Sequence, residues 1–396
     1  MNYTIICVSP APWDYPIWTN RQHIMHVLSK NNDVYYIFHP EFLRSTIKRN
    51  ILSPKKINHI KENKYRLKLI TPYILPFAKS FLNIHKLNVK ICSTLINRRL
   101  KEGNIKNYIL WFYDPESVFY LKYLNPTIAC YDCVDEFSAM PSYNSQKKID
   151  RLLKLEKLLV KKCDIVFTTS NNLYSEKKKY NSKTFLVENV GDFKHFYKTT
   201  KVKPINLKQI PPNKKNIGFI GALDSYKVDY ELLEWLSIRQ PDWNFILIGS
   251  KLNILEKEIH LKGSKNIFFL GIKKYKDLPY YAANFDICII PYKINDYTKN
   301  VFPIKVFEYL ATGKPVVSTN LPSIRKYKDV IFISDDYLDF ENKIKIALVN
   351  NNISNKEKRL QIAYKNSWES RSEKLIKIVK EEFDLKLNSA AVSSLI

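Results

Sequence analysis

The chain has 396 residues, of which 45% are hydrophobic and 13% aromatic. That is enough apolar material for buried cores in two domains, and it excludes a globally disordered chain. A formal net charge of +26 points to an anionic partner, while no apolar run reaches the roughly 18 residues that span a bilayer. The opening MNYTIICVSPAPWDYP has no basic region followed by an apolar stretch, so no signal peptide is expected. The six irregularly spaced cysteines then read as reduced thiols of a cytosolic protein.

Taken in chain order, YTIICV (3–8) and DVYYIF (33–38) read as strands, with a helix between them that carries Arg21, Gln22, His23 and His26. Residues 44–106 hold sixteen Lys and Arg against two acids, Glu62 and Glu102, a net +14. A lysine-rich composition would add lysines everywhere but would not strip acids from one segment. A basic face here suits membrane headgroups, a phosphorylated lipid or nucleic acid. Within it YILPFAKSFLNIH (73–85) mixes aromatics and leucines with sparse charge.

Strands follow at YILWFY (108–113), TIACYDCV (127–134), DIVFTT (164–169) and TFLVE (184–188). Between them QKKIDRLLKLEKLLVKKC (146–163) is an amphipathic helix whose leucine face suits burial against a sheet, with a membrane surface as the alternative. KVKPINLKQIPPNKKN (201–216) is polar and proline-bearing and reads as an interdomain linker. The second half supplies NIGFIG (216–221), FILIG (245–249), IFFLG (267–271), DICIIPY (286–292), PVVST (315–319) and VIFIS (330–334). Apolar runs alternating with helical patterns predict an α/β protein of two doubly wound parallel-sheet domains.

Glycine placement separates the halves. Only Gly103 and Gly191 precede the linker, whereas Gly218, Gly221, Gly249, Gly271 and Gly313 fall at or beside element ends in the second domain. Such glycines permit tight turns and close approach of a ligand at the carboxyl ends of strands. In GFIGALDSYKVDYELLEW (218–235) a strand and glycine turn lead to a helix starting near Asp229, with Ser225 and Lys227 as hydrogen-bond donors for a phosphate.

FPIKVFEYLATGKPVVST (302–319) carries a further helix. Pro303 fits its first turn, Gly313 its end, and Phe302, Val306, Tyr309 and Leu310 face the sheet. Lys305 and Glu308, three apart, are neighbours on the other face. A cation in a first turn asks for an anion nearby. A diphosphate on Lys305 and a ribose diol on Glu308 account for both charges. Cys130 and Cys133 form a CxxC inside an apolar strand rather than at a helix start, which argues against redox or zinc chemistry.

The order of GALD, IGS, LG, DICIIPY and PxKxxEYLAxGKPVVST resembles the donor half of GT-B glycosyltransferases, including those of bacterial surface polysaccharide synthesis of the teichuronic-acid type. In the first half APWDYPIWTNRQHIMHVLSK (11–30), CYDCVDEFSAM (130–140), CDIVFTTSNNLY (163–174) and VENVGDFKHF (187–196) are similar to that group in the same order. The closing SWESRSEKLIKIV (367–379) is similar to the terminal helix that returns to the first domain. The resemblance implies two Rossmann-like domains facing across a cleft. Residues 1–197 would be a membrane-facing acceptor domain, 198–215 a linker, 216–365 a nucleotide-sugar domain and 366–385 the returning helix.

It further implies a sugar transferase using a nucleoside diphosphate sugar, UDP-linked, with a glycan or polyprenyl-diphosphate-linked acceptor in capsule, lipopolysaccharide or related synthesis. Gly221, Ser225, Lys227, Gly249, Tyr292, Pro303, Lys305 and Glu308 would bind the donor. Asp135 would be the base of an inverting reaction, with Asp132 and His23 as further candidates. No Asp-x-Asp occurs, so a metal-independent reaction without a cofactor is expected, with lysines neutralising the leaving diphosphate.

Two departures bear on the outcome: Asn300 stands where many retaining members carry a second glutamate, and PAPWDYPIWTNRQ replaces a glycine-rich loop. The protein is expected at the inner face of the cytoplasmic membrane, held peripherally through 44–106. The rival readings are a nucleotide-sugar 2-epimerase, which needs no basic surface, and a nucleic-acid binder, for which the recognition motifs are absent.

Overall fold

The structure, a computed structural model, describes residues 2–9, 12–13, 18–38, 61–62, 65–72, 82–136, 138, 145–250, 264–299, 302–350 and 352–393. Asn300, all of 44–60 and all of 73–81, on which sequence expectations were placed, lie outside the described residues. The chain divides into two compact units, Met1–Glu188 with Arg371–Ile396, and Asn189–Ser370.

The strands of the first unit are β1 (Thr4–Ser9), β2 (Asp33–Phe38), β3 (Lys61–Glu62), β4 (Leu67–Ile70), β5 (Ile109–Phe112), β6 (Ile128–Cys133), β7 (Ile165–Thr168) and β8 (Thr184–Leu186). They form one sheet in the order β3-β4-β2-β1-β5-β6-β7-β8, parallel except for the β3–β4 pair. Helices α1 (Asn20–Leu28), α2 (Leu82–Glu102), α3 (Gln146–Lys162) and α4 (Asn171–Lys178) connect them.

Runs such as ILWF and IACYDC are buried at every position. Strands covered on both faces by helices need that continuous burial, which is why they were visible as unbroken apolar runs.

Strand β4 was not expected. Its residues LKLI alternate buried and half-buried, so Leu67 and Leu69 enter the core from within the basic segment. Helix α2 likewise buries Val89, Cys92, Ile96 and Leu100 along one face, so much of the described part of 44–106 is core structure carrying basic side chains outward. In α3 the buried set is Leu152, Glu156, Leu159 and Val160, while Leu153 and Leu158 stay exposed.

The second unit holds β9 (Lys215–Ile220), β10 (Trp243–Ile248), β11 (Ile267–Gly271), β12 (Ile287–Ile290), β13 (Val316–Thr319) and β14 (Phe332–Ser334), all parallel in the order β11-β10-β9-β12-β13-β14. Its helices are α5 (Phe193–Phe196), α6 (Tyr230–Arg239), α7 (Leu278–Ala282), α8 (Asp296–Lys299), α9 (Lys305–Ala311), α10 (Tyr337–Val349) and α11 (Ile353–Lys365). The last helix, α12 (Trp368–Ser393), begins in this unit and belongs to the first from Arg371 onward.

The division falls at 188/189 rather than at 197, and residues 198–215 belong to the second unit. Packing explains it: Phe196 is fully buried with Ile210 in that unit's core, and the Thr199 hydroxyl donates to the Pro279 carbonyl at 3.4 Å. Gly218 lies inside β9 rather than at its end, where any side chain would collide with the Phe285 ring, so its role is packing.

Candidate functional site

In a doubly wound sheet the crevice lies at the carboxyl ends of the two central strands whose connections leave in opposite directions. In the second unit those strands are β9 and β12. Glycines mark three adjacent strand ends on the β9 side, Gly221 after β9, Gly249 after β10 and Gly271 closing β11. The Gly221 N–H donates to the Ile248 carbonyl at 2.9 Å and the Gly249 N–H to the Gly271 carbonyl at 3.1 Å. A Cβ on Gly249 would overlap the Gly221 carbonyl oxygen, so these two loops touch backbone to backbone.

After β9 the chain turns on buried Asp224, whose carbonyl accepts from the N–H groups of Lys227 and Val228 at 2.9 Å each. Asp229 then caps α6, accepting from the Leu232 N–H at 3.0 Å, as the sequence predicts. The turn is tied to the loop after β12: the Lys293 N–H donates to the Lys227 carbonyl at 2.7 Å, and the Asn295 side chain to the Tyr226 carbonyl at 2.7 Å.

The Lys227 ammonium lies over both the Tyr226 and Tyr297 rings, 5.4 and 5.2 Å from their centroids. Burial pulls its pKa down, but the two tyrosines reverse the balance and raise it, so the group is a firm cation. Ser225 is half-buried in the same turn. Tyr292 is half-buried against Phe219, with ring centroids 6.1 Å apart, which makes it chiefly a packing residue of the loop.

Helix α9 brings the other charges. It starts at Lys305, so Pro303 stands just before it, two residues earlier than a first-turn position. Its bearing on β9 is fixed by the buried Tyr309 hydroxyl, which accepts from the Ile220 N–H at 2.7 Å and donates to the Ile220 carbonyl at 3.2 Å. The Lys305 stem passes over Gly221: a Cβ there would lie 3.4 Å from Lys305 Cε. Lys305 Nζ meets Glu308 Oε2 at 2.7 Å, with Glu308 only 7% exposed. The helix ends at Gly313, whose φ of +73° suits glycine and whose carbonyl accepts from Arg359 at 3.0 and 2.9 Å.

A group that the sequence did not single out supports Glu308 from below. Gly191 is pressed against α9, so that a Cβ would come within 2.9 Å of the Glu308 nitrogen. Asp192 caps α5 through the His195 N–H at 3.1 Å and accepts from the Tyr275 hydroxyl at 3.0 Å. The His195 ring stacks on Tyr275 at 4.2 Å and its Nε2 donates to the Tyr275 carbonyl at 2.7 Å. Burial lowers the His195 pKa, opposed by Asp192 and, more weakly, by Glu308. VENVGDFKHF was the only signal that could have found Asp192 and His195.

In the first unit β1 and β5 are the central strands at the reversal. Asp132 is fully buried on β6 and paired with the equally buried Arg371 at 3.1 Å; Arg371 also donates to the carbonyls of Val187 and Glu188 at 2.7 and 2.8 Å. Burial raises the Asp132 pKa and Arg371 opposes it. As a base candidate Asp132 is therefore corrected: its carboxylate is shut off from any acceptor hydroxyl and ties α12 to the first sheet.

Asp135, by contrast, is exposed just past the end of β6. Although it keeps access to solvent, the protein packed around its carboxyl raises the pKa above the usual range, with Arg21 pulling it back. His23 is half-buried, its ring edge-on to Trp18 at 5.3 Å, a packing arrangement within an aromatic cluster. Cys130 and Cys133 are buried free thiols whose pKa values burial drives well up, which removes thiolate chemistry. Among the described residues no three His, Cys, Asp or Glu side chains are grouped as metal ligands, and no helix is long and apolar enough to cross a membrane.

Comparison with known proteins agrees with this architecture. Sucrose-phosphate synthase from Thermosynechococcus elongatus superposes with a TM-score of 0.68 at 13% identity over 97% of this chain and 100% of the other. The Anabaena HepE structure in complex with UDP and glucose gives 0.62 at 13% identity over 95% and 99%. The protein thus has the GT-B fold.

The particular match is to glycosyl transferases group 1, whose family model matches residues 214–350, within the second unit. A Bacillus subtilis protein, TuaH, named as a teichuronic acid biosynthesis glycosyltransferase, is 29% identical over 259 residues, spanning 60% of this chain and 63% of its own length.

Proposed function

We propose that the protein is a glycosyltransferase that moves a sugar from a UDP-linked donor to a growing or lipid-linked glycan of the cell surface, in capsule, lipopolysaccharide or related polysaccharide synthesis. The observation that carries this reading is the convergence of Lys227 and the Lys305–Glu308 pair on the carboxyl ends of β9 and β12. Two cations there match a diphosphate, and a carboxylate three residues along matches a ribose diol. TuaH, with its name, and HepE, bound to UDP, support the donor class and the setting.

The two lysines would neutralise the leaving diphosphate as the glycosidic carbon–oxygen bond breaks, which makes a metal-independent reaction the natural one. On the acceptor side Asp135 would take the hydroxyl proton as the new bond forms, giving inversion. Its exposure at a strand end and raised pKa suit a base. The basic segment 44–106 would hold the enzyme peripherally on an anionic membrane face, where a polyprenyl-diphosphate-linked acceptor resides.

Thermal melting and calorimetry of the full chain with UDP, GDP, TDP and their sugars test the reading. UDP should raise the melting temperature and bind in the micromolar range. Indifference to every nucleotide would remove it, and conversion of a nucleotide sugar to its epimer without acceptor would favour the epimerase instead. Reversing Arg44, Lys48, Arg49 and Lys55 to glutamate should release the protein from vesicles of anionic lipid. Continued binding would place the membrane contact elsewhere.

A further inference from the structure

The first unit holds a cation for which the reading above has no use. Arg21, in the first turn of α1, is half-buried, and that turn carries no acidic residue. Its guanidinium lies over the Tyr113 ring, 5.8 Å from the centroid, and its buried Nε has no hydrogen-bond partner. The acids nearest in its electrostatic surroundings are Asp132, already paired to Arg371, and exposed Asp135. Among the described residues Arg21 has no ion-pair partner.

The placement is that of a ligand site. Tyr113 directly follows β5 and α1 follows β1, so Arg21 stands by the reversal point of the first sheet. Tyr36, close enough for its hydroxyl to feel the Arg21 charge, joins Trp13 and Trp18 in an aromatic group, with rings 4.9 Å apart for Trp13–Trp18 and 5.0 Å for Trp13–Tyr36. Trp18 is only half-buried, leaving an aromatic surface on which a sugar ring can lie. An arginine fork recognises a carboxylate or phosphate through two parallel N–H donors, and it keeps its charge wherever it is placed.

We propose that Arg21, backed by Tyr113 and near Tyr36 of the aromatic group, binds an oxyanion carried by the acceptor, either the carboxylate of an acidic sugar or a phosphate. The assignment rests on the first unit holding the acceptor, and it makes Arg21 a specificity residue close to the base candidate Asp135. The enzyme would then extend acidic acceptors and discriminate against their neutral counterparts.

The full chain and its R21Q and R21K variants can be titrated calorimetrically with methyl glucuronide, methyl glucoside and inorganic phosphate, with UDP as a separate arm. Wild type should prefer an anionic probe over the glucoside by roughly tenfold or more, as one charge-assisted bidentate contact provides. R21Q should lose that preference and R21K keep part of it, while all three bind UDP alike and melt within a few degrees of one another.

Glucuronide binding without phosphate binding identifies an acidic sugar; the converse identifies a phosphate group. Equal affinity for charged and neutral probes, no anion binding in wild type, or an R21Q variant that keeps its preference would each overturn the proposal. Loss of UDP binding in wild type would count against the donor reading alone.

Discussion

Lys305 donates to Glu308 at 2.7 Å, so a phosphate bound by Lys305, as proposed, would compete with this carboxylate for the same ammonium. The pair is held in register by α9, and α9 is held to β9 by the Tyr309 hydroxyl on Ile220. Placement of the charges therefore depends on the sheet, not on a mobile side chain. Lys305→Ala should weaken UDP binding by at least about tenfold and abolish transfer, read by calorimetry and a turnover assay. Glu308→Gln should split the two halves of the ligand: inorganic pyrophosphate binds more tightly because Lys305 is released, while UDP binds more weakly for want of the ribose contact.

Asp132 and Arg371 are 239 residues apart in sequence and wholly buried together. Removing one partner strands the other charge in the core. Asp132→Ala or Arg371→Ala should each cost about 3–5 kcal/mol of unfolding free energy in urea titrations. Replacing both with apolar residues of similar volume should cost far less than the sum of the two.

The glycine loops offer a paired comparison. Gly249→Ala places a methyl on the Gly221 carbonyl and should displace the loop that carries Gly221, lowering both melting temperature and UDP affinity. Gly271→Ala meets nothing within 4 Å and suffers only from its φ of +69°, so it should cost about 1 kcal/mol and leave UDP affinity unchanged.

With Asp135 as the proposed base, its titration would set the acid limb of activity. Its folded pKa lies above that of a free aspartate, so the folded chain holds this proton more tightly than the unfolded chain does. The associated stability is present below that value and declines as pH rises through the folded pKa. For catalysis the sign is opposite: kcat/KM should rise over the same window as the base is uncovered. Because Arg21 lowers the Asp135 pKa, Arg21→Gln should move the limb to higher pH, and Asp135→Asn should abolish it along with transfer.

Twelve of the strands were legible as short apolar, β-branched runs, most plainly the central ones such as β5, β6, β10 and β12, which are buried at every position. β4 was hidden because Lys68 interrupts it and its neighbours are basic. The Lys305–Glu308 pair could be read locally, since one turn of helix brings the two together. Asp192 and Tyr275 join across 83 residues, and nothing in either local stretch announces the other. The burial of Asp132 was equally invisible, because the strand end that exposes Asp135 lies only three residues further on.

All six thiols are buried in the native protein, with Cys92 pushed up to about 11 and Cys288 to about 12. Cys7, Cys92, Cys130, Cys133 and Cys163 lie in the first unit, and Cys288 alone lies in the second. A maleimide or isotope-coded alkylating reagent should therefore find no target at neutral pH until a unit opens. Which peptide then carries the label separates the two openings, so the unmodified chain already contains an independent clock for each half.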